Sequence, residues 1–269
     1  MRLRQGRIGI GSGWLSYRVT GFGPPVVLLH GFGFDCRMWD EHVPHLSNRY
    51  AVVQYDLRGF GRSTAGRDSY SHSDDLKALV DDLALERVAL IGLSLGGGTA
   101  LNFSIQYPER VRALVVVDPS LGGFGWSSQF TEAQQALRAT ASTVGVAAAR
   151  EQWLQLPMFR SAMSNPRVAE RLALMVNDYA GSHWLEPELG RPLHPPAIDR
   201  LEDISAPTLV VVGQLDIPDF HDIASTIADR VPRARKVVIP GVGHMANLEA
   251  PARFDDLISG FLAEAGAER

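Results

Sequence analysis

The chain is poor in two residue types that support distinct kinds of chemistry. Among its 269 residues it has one cysteine, Cys36, and only two lysines, Lys77 and Lys236. A single cysteine excludes an intramolecular disulfide framework and a metal site built from several cysteines. Neither lysine follows a glycine, as the lysine of a phosphate-binding P-loop must, so that class of nucleotide-binding protein is excluded as well.

The sequence also lacks a long apolar run and an excess of positive charge. Its aliphatic runs, such as residues 209–212, are far too short to cross a bilayer, and none of signal-peptide length follows Met1. The net charge of −4 at pH 7 indicates no electrostatic surface for nucleic acid or an anionic membrane. We therefore expect a cytoplasmic protein with a small-molecule substrate and with neither nucleic-acid nor membrane partners; the sequence indicates no oligomeric state.

Short apolar runs alternate with amphipathic stretches of helical length in two parts of the chain, residues 1–118 and 207–269. This alternation is typical of an α/β fold, in which helices cover both faces of a mostly parallel sheet. Residues 119–206 instead show helical periodicity and end in a proline-rich loop. We interpret the first two parts as the core and residues 119–206 as a helical cap, or lid, inserted at the sheet edge where α/β proteins bind ligands.

A serine lies in the sharpest local motif of the chain. The pattern G-x-S-x-G is matched by Gly92-Leu93-Ser94-Leu95-Gly96, which follows an apolar strand predicted at residues 88–91 and precedes a helix-length segment. This context is typical of a nucleophile elbow, which raises a serine above the sheet edge. The alternative is an ordinary strand-to-helix turn with a capping serine, which does not account for three consecutive glycines at residues 96–98.

A serine nucleophile needs a general base, which in this architecture is a histidine near the C-terminal end of the chain. His244 follows the strand predicted at residues 236–239 through a flexible loop, which places it at the same edge as Ser94. Three other histidines come after Ser94, two of them in the insertion and one in a predicted helix: His183, His194 and His221. We therefore predict His244 as the base.

The acid that orients the histidine has two candidates at this edge. Asp216 follows the strand predicted at residues 208–212, and Asp118 ends the strand predicted at residues 111–117. We favour Asp216, because Asp118 precedes Pro119 at the entry to the insertion and is also explained as a loop cap.

Two backbone N–H groups are expected to bind the oxyanion that forms during acyl transfer. One belongs to Leu95, directly after the serine. The other belongs to Phe32, in the loop His30-Gly31-Phe32-Gly33 that follows the strand predicted at residues 26–29. His30 is interpreted as a brace for this loop.

These motifs together resemble the α/β-hydrolase fold superfamily. The resemblance rests on residues 30–33, 56–63, 92–97, 213–216 and 243–244. It implies an eight-stranded, mostly parallel sheet with a helical cap after the sixth strand, and Ser94, Asp216 and His244 as the triad. The elbow is similar to those of small esterases and enol-lactonases. Hydrolases of carbon–carbon bonds in ring-cleavage products are similar overall but often carry a polar residue in place of Leu93.

We predict a cofactor-independent serine hydrolase that cleaves a small carboxylic ester or lactone through an acyl-enzyme. Two alternatives stay open: a carbon–carbon bond hydrolase, and a non-catalytic or slow small-molecule receptor on the same fold. We expect no metal site, since His42 and His45 are separated by Pro44 and have no third ligand nearby in the sequence.

The insertion contains the residues expected to select the substrate. Four of its aromatic residues are candidates to line an apolar pocket, although such residues more often form the cap's own core: Trp126, Trp153, Phe159 and Trp184. Three arginines, Arg150, Arg160 and Arg191, could bind a substrate carboxylate, and an exposed helix face explains them equally well.

Overall fold

The computed structural model describes residues 3–186 and 189–267, which contain one sheet of eight strands. Their spatial order is β1-β2-β4-β3-β5-β6-β7-β8; β1 and β2 pair antiparallel, β2 pairs antiparallel with β4, and all other pairs are parallel. The predicted eight-stranded, mostly parallel sheet is confirmed. The strands are β1 (Leu3–Ile10), β2 (Gly13–Thr20), β3 (Pro25–Leu29), β4 (Ala51–Tyr55), β5 (Val88–Leu93), β6 (Val111–Val117), β7 (Thr208–Gly213) and β8 (Ala234–Ile239).

Helices cover both faces of this sheet. The helices outside the insertion are α1 (Val43–Leu46), α2 (His72–Asp82), α3 (Leu95–Gln106), α9 (Pro218–Arg230), α10 (Ala246–Glu249) and α11 (Pro251–Ala267). On one face α1 packs with α11, and on the other α2 packs with α3 while α9 covers β7 and β8. Every residue of β5 and β6 is buried, as expected for central parallel strands covered on both sides.

The N-terminal hairpin differs from what the sequence suggests. The glycine-rich sequence at residues 9–13 predicts a turn over the whole stretch. In the structure β1 continues to Ile10, and the turn is formed by Gly11 and Ser12. Gly11 has a φ of 51°, which glycine adopts at little cost. Few residues of the edge strand β1 are buried, Ile8 and Ile10 among them. Its sequence therefore shows only a weak apolar pattern from which to predict a strand.

The segment between β6 and β7 is helical over its described part. Its helices are α4 (Ser128–Thr143), α5 (Val146–Leu154), α6 (Arg160–Met163), α7 (Pro166–Asp178) and α8 (Ser182–Leu185). Residues 131–150 show one continuous helical periodicity in the sequence, but the structure has two helices there, α4 and α5. They are separated at Gly145, whose φ is 123°. That this segment acts as a cap, with limits at residues 119 and 206, stays a prediction. Within the described ranges, no helix is long and apolar enough to span a membrane.

Candidate active site

Four polar residues follow four neighbouring strands at one edge of the sheet. Ser94 follows β5, Asp118 follows β6, Asp216 lies beyond β7 and His244 lies beyond β8. The backbone connects the first two to the adjacent strands, since the N–H of Ser94 donates to Val117 and that of Asp118 to Val211, each at 2.9 Å. Because the carboxyl ends of parallel strands share an edge, residues distant in the sequence meet here.

Ser94 has a strained backbone at the turn between β5 and α3. Its φ of 54° and ψ of −114° lie in a region that is essentially reserved for glycine. The turn is tight because α3 begins directly against β3: a Cβ on Gly96 would lie 2.3 Å from the carbonyl oxygen of Leu29. The same close packing explains the next two glycines, where a Cβ would meet Pro119 or Ser120. The three glycines are thus required by packing, and strain at a serine is the feature that indicates function.

The strain at Ser94 predicts an unusual effect on stability. We expect Ser94→Gly to raise the free energy of unfolding by about 1 kcal/mol and the Tm by about 2–4 °C, because glycine adopts this conformation freely. Ser94→Ala is the matched control: it also removes the hydroxyl but keeps the strained Cβ. Thermal unfolding of both variants measures the difference, and equal Tm values would contradict stored strain at this turn.

Asp216 and His244 form a buried hydrogen-bonded pair. Nδ1 of His244 lies 2.7 Å from Oδ2 of Asp216, and both side chains are almost fully shielded from solvent. The other oxygen of Asp216 accepts the N–H of Ile217 at 2.8 Å, which fixes the carboxylate. Nε2 is therefore the imidazole nitrogen left for proton transfer. Among the hydrogen bonds of the described residues, none joins it to the Ser94 hydroxyl; such contacts often shorten only when substrate binds.

Asp118, the rival acid, is fully buried beside this pair. Possible ligand atoms of Asp118, Asp216 and His244 all lie within 4.8 Å of one another. Oδ1 of Asp118 accepts the N–H of Gly213 at 3.0 Å, while Oδ2 has no hydrogen-bond partner in the described part of the chain. The pKa of Asp118 is raised well above its ordinary value, first by burial and second by the nearby carboxylate of Asp216. Burial and the neighbouring negative charge therefore both favour the protonated form of Asp118.

A second cluster, Asp35, Cys36 and Asp56, also brings three possible metal-ligand atoms within 4.8 Å. Its acceptors are already in use: Asp35 binds the Arg37 guanidinium, and the Asp56 oxygens accept N–H groups of Cys36 and Arg62. Burial raises the pKa of the Cys36 thiol, which disfavours the thiolate that a metal would need. The chemistry of these donors therefore suits a hydrogen-bonded loop support.

Phe32, in the loop after β3, lines the same cavity as Leu95 at the start of α3. Burial lowers the pKa of His30, and its Nε2 accepts the N–H of Leu57 at 2.9 Å. Nδ1 therefore carries the hydrogen and donates it to the Gly31 carbonyl at 2.8 Å. This bond fixes the peptide whose N–H belongs to Phe32. In the described part of the chain, the N–H groups of Phe32 and Leu95 make no hydrogen bond.

The predicted pocket aromatics lie around these groups. Trp153 and Trp184 contact the Phe32 ring, with ring centroids 5.2 and 5.8 Å away. Phe159 lies edge-on to His244 at 5.8 Å. In the described part of the chain, the Trp126 ring does not contact His244 directly but packs against Phe220. The ring centroids of Phe220 and His244 are 4.4 Å apart.

The three insertion arginines have separate environments. Arg150 donates to the backbone carbonyl of Tyr179, which is a structural use of its guanidinium. Arg160 is exposed at the outer surface of the insertion. Arg191 lines a cavity of about 200 Å³ together with Phe32 and Leu95, and Arg138 lines the same cavity.

Several residues of the site were missed by sequence reasoning. Phe220 packs on His244. The only feature of the sequence that could have indicated this is its position in the first turn of the helix that follows Asp216. No feature of the sequence indicates Arg138, because its pattern is that of a solvated position on a helix. His183 is half-buried and stacks on Phe60, with their ring centroids 4.2 Å apart, so it packs among the aromatic residues beside the site.

The sheet, the strained serine turn and the residues beyond β7 and β8 define a class of hydrolytic enzyme. Residues 24–251 match the family model described as the alpha/beta hydrolase fold, and the chain belongs to this family. The chain is 30% identical to a pimeloyl-[acyl-carrier protein] methyl ester esterase of Aeromonas hydrophila, with 90% of this chain and 96% of the relative covered.

Other relatives extend the range of chemistry. A 2-hydroxymuconate semialdehyde hydrolase of a Pseudomonas species is 30% identical over 92% of this chain and 90% of its own. Among solved structures, a thermophilic esterase from Thermogutta terrifontis has a TM-score of 0.84 and 29% identity, with 97% of this chain and 99% of that chain covered. The protein is an enzyme of the α/β-hydrolase family.

Proposed function

We propose that the protein is a cofactor-independent serine hydrolase of small carboxylic esters or lactones, with Ser94, His244 and Asp216 as its triad. The observation that carries the proposal is the buried 2.7 Å contact between His244 Nδ1 and Asp216, at the sheet edge where Ser94 forms its strained turn. A histidine held in one tautomer by a carboxylate, next to a serine on an elbow, is the arrangement that activates a weak hydroxyl nucleophile.

The reaction follows from the positions of these groups. Ser94 Oγ attacks the acyl carbon while His244 Nε2 takes its proton, and the carbonyl oxygen becomes an oxyanion that the N–H groups of Phe32 and Leu95 bind. The bond to the leaving oxygen then breaks, and His244 returns the proton to it. A water molecule, deprotonated by His244, attacks the acyl-enzyme and releases the acid and free Ser94.

Asp216 is the orienting acid in this proposal, and Asp118 supports it. Asp216 binds Nδ1 directly, whereas Asp118 binds the N–H of Gly213 through Oδ1. A protonated Oδ2 on Asp118 can donate a hydrogen bond to Asp216, which helps to fix the position of the Asp216 carboxylate. The positive charge that develops on His244 is then balanced by one carboxylate.

Residues 119–206 are proposed to act as the lid of this site. Trp153 and Trp184 contact Phe32, and Phe159 contacts His244, so the insertion covers both the proposed oxyanion loop and the base. An aromatic cover of this kind excludes water and favours a substrate with an apolar acyl or ring portion.

A second candidate is hydrolysis of a carbon–carbon bond. It is favoured by the 30% identity to a 2-hydroxymuconate semialdehyde hydrolase across most of both chains. Hydrolysis by the same triad would then release a carbanion-type leaving group instead of an alkoxide.

A substrate panel tests the proposal and separates the candidates. We expect kcat/KM for short-chain aryl esters and small lactones to exceed that for ring-cleavage dienones, because the first two have oxygen leaving groups that His244 can protonate directly. A reversed order would favour the carbon–carbon bond hydrolase. A single burst of product followed by tight retention of the ligand would favour a receptor.

A further inference from the structure

A cavity of about 200 Å³ opens beside the proposed oxyanion groups. Phe32 and Leu95 line it, and the remaining wall comes from the start of α2, from α4, from α8 and from the chain around Gly190. Because Phe32 and Leu95 supply the proposed oxyanion N–H groups, a substrate whose carbonyl is bound by them can extend another part of its structure into this cavity.

The two charged side chains that line the cavity in the described part of the chain, Arg138 and Arg191, are both positive. His72 and His183 also line it, but burial lowers the pKa of His183 to about 4 and that of His72 well below its ordinary value, so both are neutral near pH 7. Arg138 and Arg191 remain charged, and no acidic side chain belongs to the described lining.

Both arginines are held in place by backbone structure and have guanidinium groups available. Arg138 lies inside the 16-residue helix α4 and makes no ion pair within the described ranges. The N–H of Arg191 donates to the carbonyl of Tyr70 at 2.6 Å, which ties it to the start of α2. Its ion pair with Asp74 is long, at 3.4 Å, and both side chains are about half exposed, so this pair is weak.

From these observations we infer that the cavity is a subsite for a substrate carboxylate, held between Arg138 and Arg191. The inference rests on the proposed function and narrows its substrate class to monoesters or lactones that carry a free carboxylate a few bonds from the scissile carbonyl. Guanidinium groups match carboxylates in geometry and charge. The protein as a whole has a net charge of −4, so a local pair of arginines beside the proposed oxyanion residues is not a property of its general surface.

Two esters of equal length test this inference through their kcat/KM ratio. Mono-4-nitrophenyl adipate carries the carboxylate, and 4-nitrophenyl heptanoate replaces it with an uncharged ethyl group of about the same length. We expect the wild-type protein to prefer the adipate, and Arg138→Gln and Arg191→Gln each to lower the adipate-to-heptanoate ratio about tenfold. Arg160→Gln is the matched control, an exposed arginine of the same insertion outside the cavity, and should leave the ratio unchanged.

Binding of free adipate, measured by calorimetry, gives a readout that does not depend on turnover. We expect the wild-type protein to bind adipate more tightly than hexanoate, and the Arg138→Gln/Arg191→Gln variant to lose that difference. If both esters are hydrolysed without preference and adipate does not bind, the carboxylate subsite is wrong while the hydrolase proposal stands. If adipate binds in an arginine-dependent way but neither ester is cleaved, the subsite holds and the proposed hydrolysis is wrong.

Discussion

Ser94→Ala should lower kcat for a small aryl ester by about 10⁴-fold or more while the protein stays folded. Without the hydroxyl there is no atom to form the acyl-enzyme, and the remaining rate comes only from substrate binding and the oxyanion groups. The loss should appear in kcat, since the hydroxyl contributes to the transition state far more than to substrate binding. Steady-state kinetics with 4-nitrophenyl acetate measures it.

Ser120→Ala is the control for this variant. Ser120 lies at the same sheet edge, and in the described part of the chain its hydroxyl donates a hydrogen bond to the backbone carbonyl of Ser94, at 3.3 Å. We expect its removal to change kcat less than about tenfold, since no proton transfer passes through it. A Ser94→Ala protein that keeps more than a tenth of the wild-type kcat would exclude Ser94 as the nucleophile.

Asp216→Asn should lower kcat by about 10⁴-fold, because the amide holds His244 in the wrong tautomer and cannot balance its positive charge. Asp118→Asn should cost less than about tenfold, since its amide can still donate to Asp216. The substitution is also mild for the backbone: Asp118 has a φ of 42°, and asparagine tolerates such values.

The pair of variants decides between the two acids. Both remove one carboxyl group from the same buried cluster and change its size little, so each serves as a control for the other. The kcat of each variant with the same ester, together with its Tm, gives the comparison. If Asp118→Asn were the far more damaging change, Asp118 would be the acid and Asp216 its support.

The positions of the proposed triad were predictable because each residue follows a strand that is evident from its own sequence. The runs at 88–91, 208–212 and 236–239 are short and apolar, and parallel strands place their carboxyl ends at one edge whatever their order. The strand order itself was implied by the resemblance and not by any local pattern, because pairing depends on contacts between distant segments.

The surroundings of the site were much less predictable. Phe220 packs on His244, and Arg138 lines the cavity beside Phe32, through contacts between segments that are distant in the sequence. Nothing in the local sequence distinguishes Arg138 from an exposed helix position. The three arginines singled out by sequence show the same limit: one supports a backbone carbonyl, one faces outward, and only Arg191 lines the cavity.

The chemistry and the selectivity of this protein are thus expected to come from different parts of the chain. In our proposal the nucleophile, base and acid belong to the core, whereas the insertion supplies the aromatic cover and both arginines of the carboxylate subsite. Variants of Arg138 should therefore change which esters are preferred, and variants of Ser94 should remove turnover of all of them.

Covalent labelling with a fluorophosphonate tests the central proposal most directly. The reagent reacts with a serine that a histidine activates and an oxyanion site supports. We expect intact-protein mass spectrometry to show one adduct per chain, peptide mapping to place it on Ser94, and ester hydrolysis to fall in proportion to labelling. An adduct on another residue, or full hydrolytic activity in protein labelled at Ser94, would contradict it.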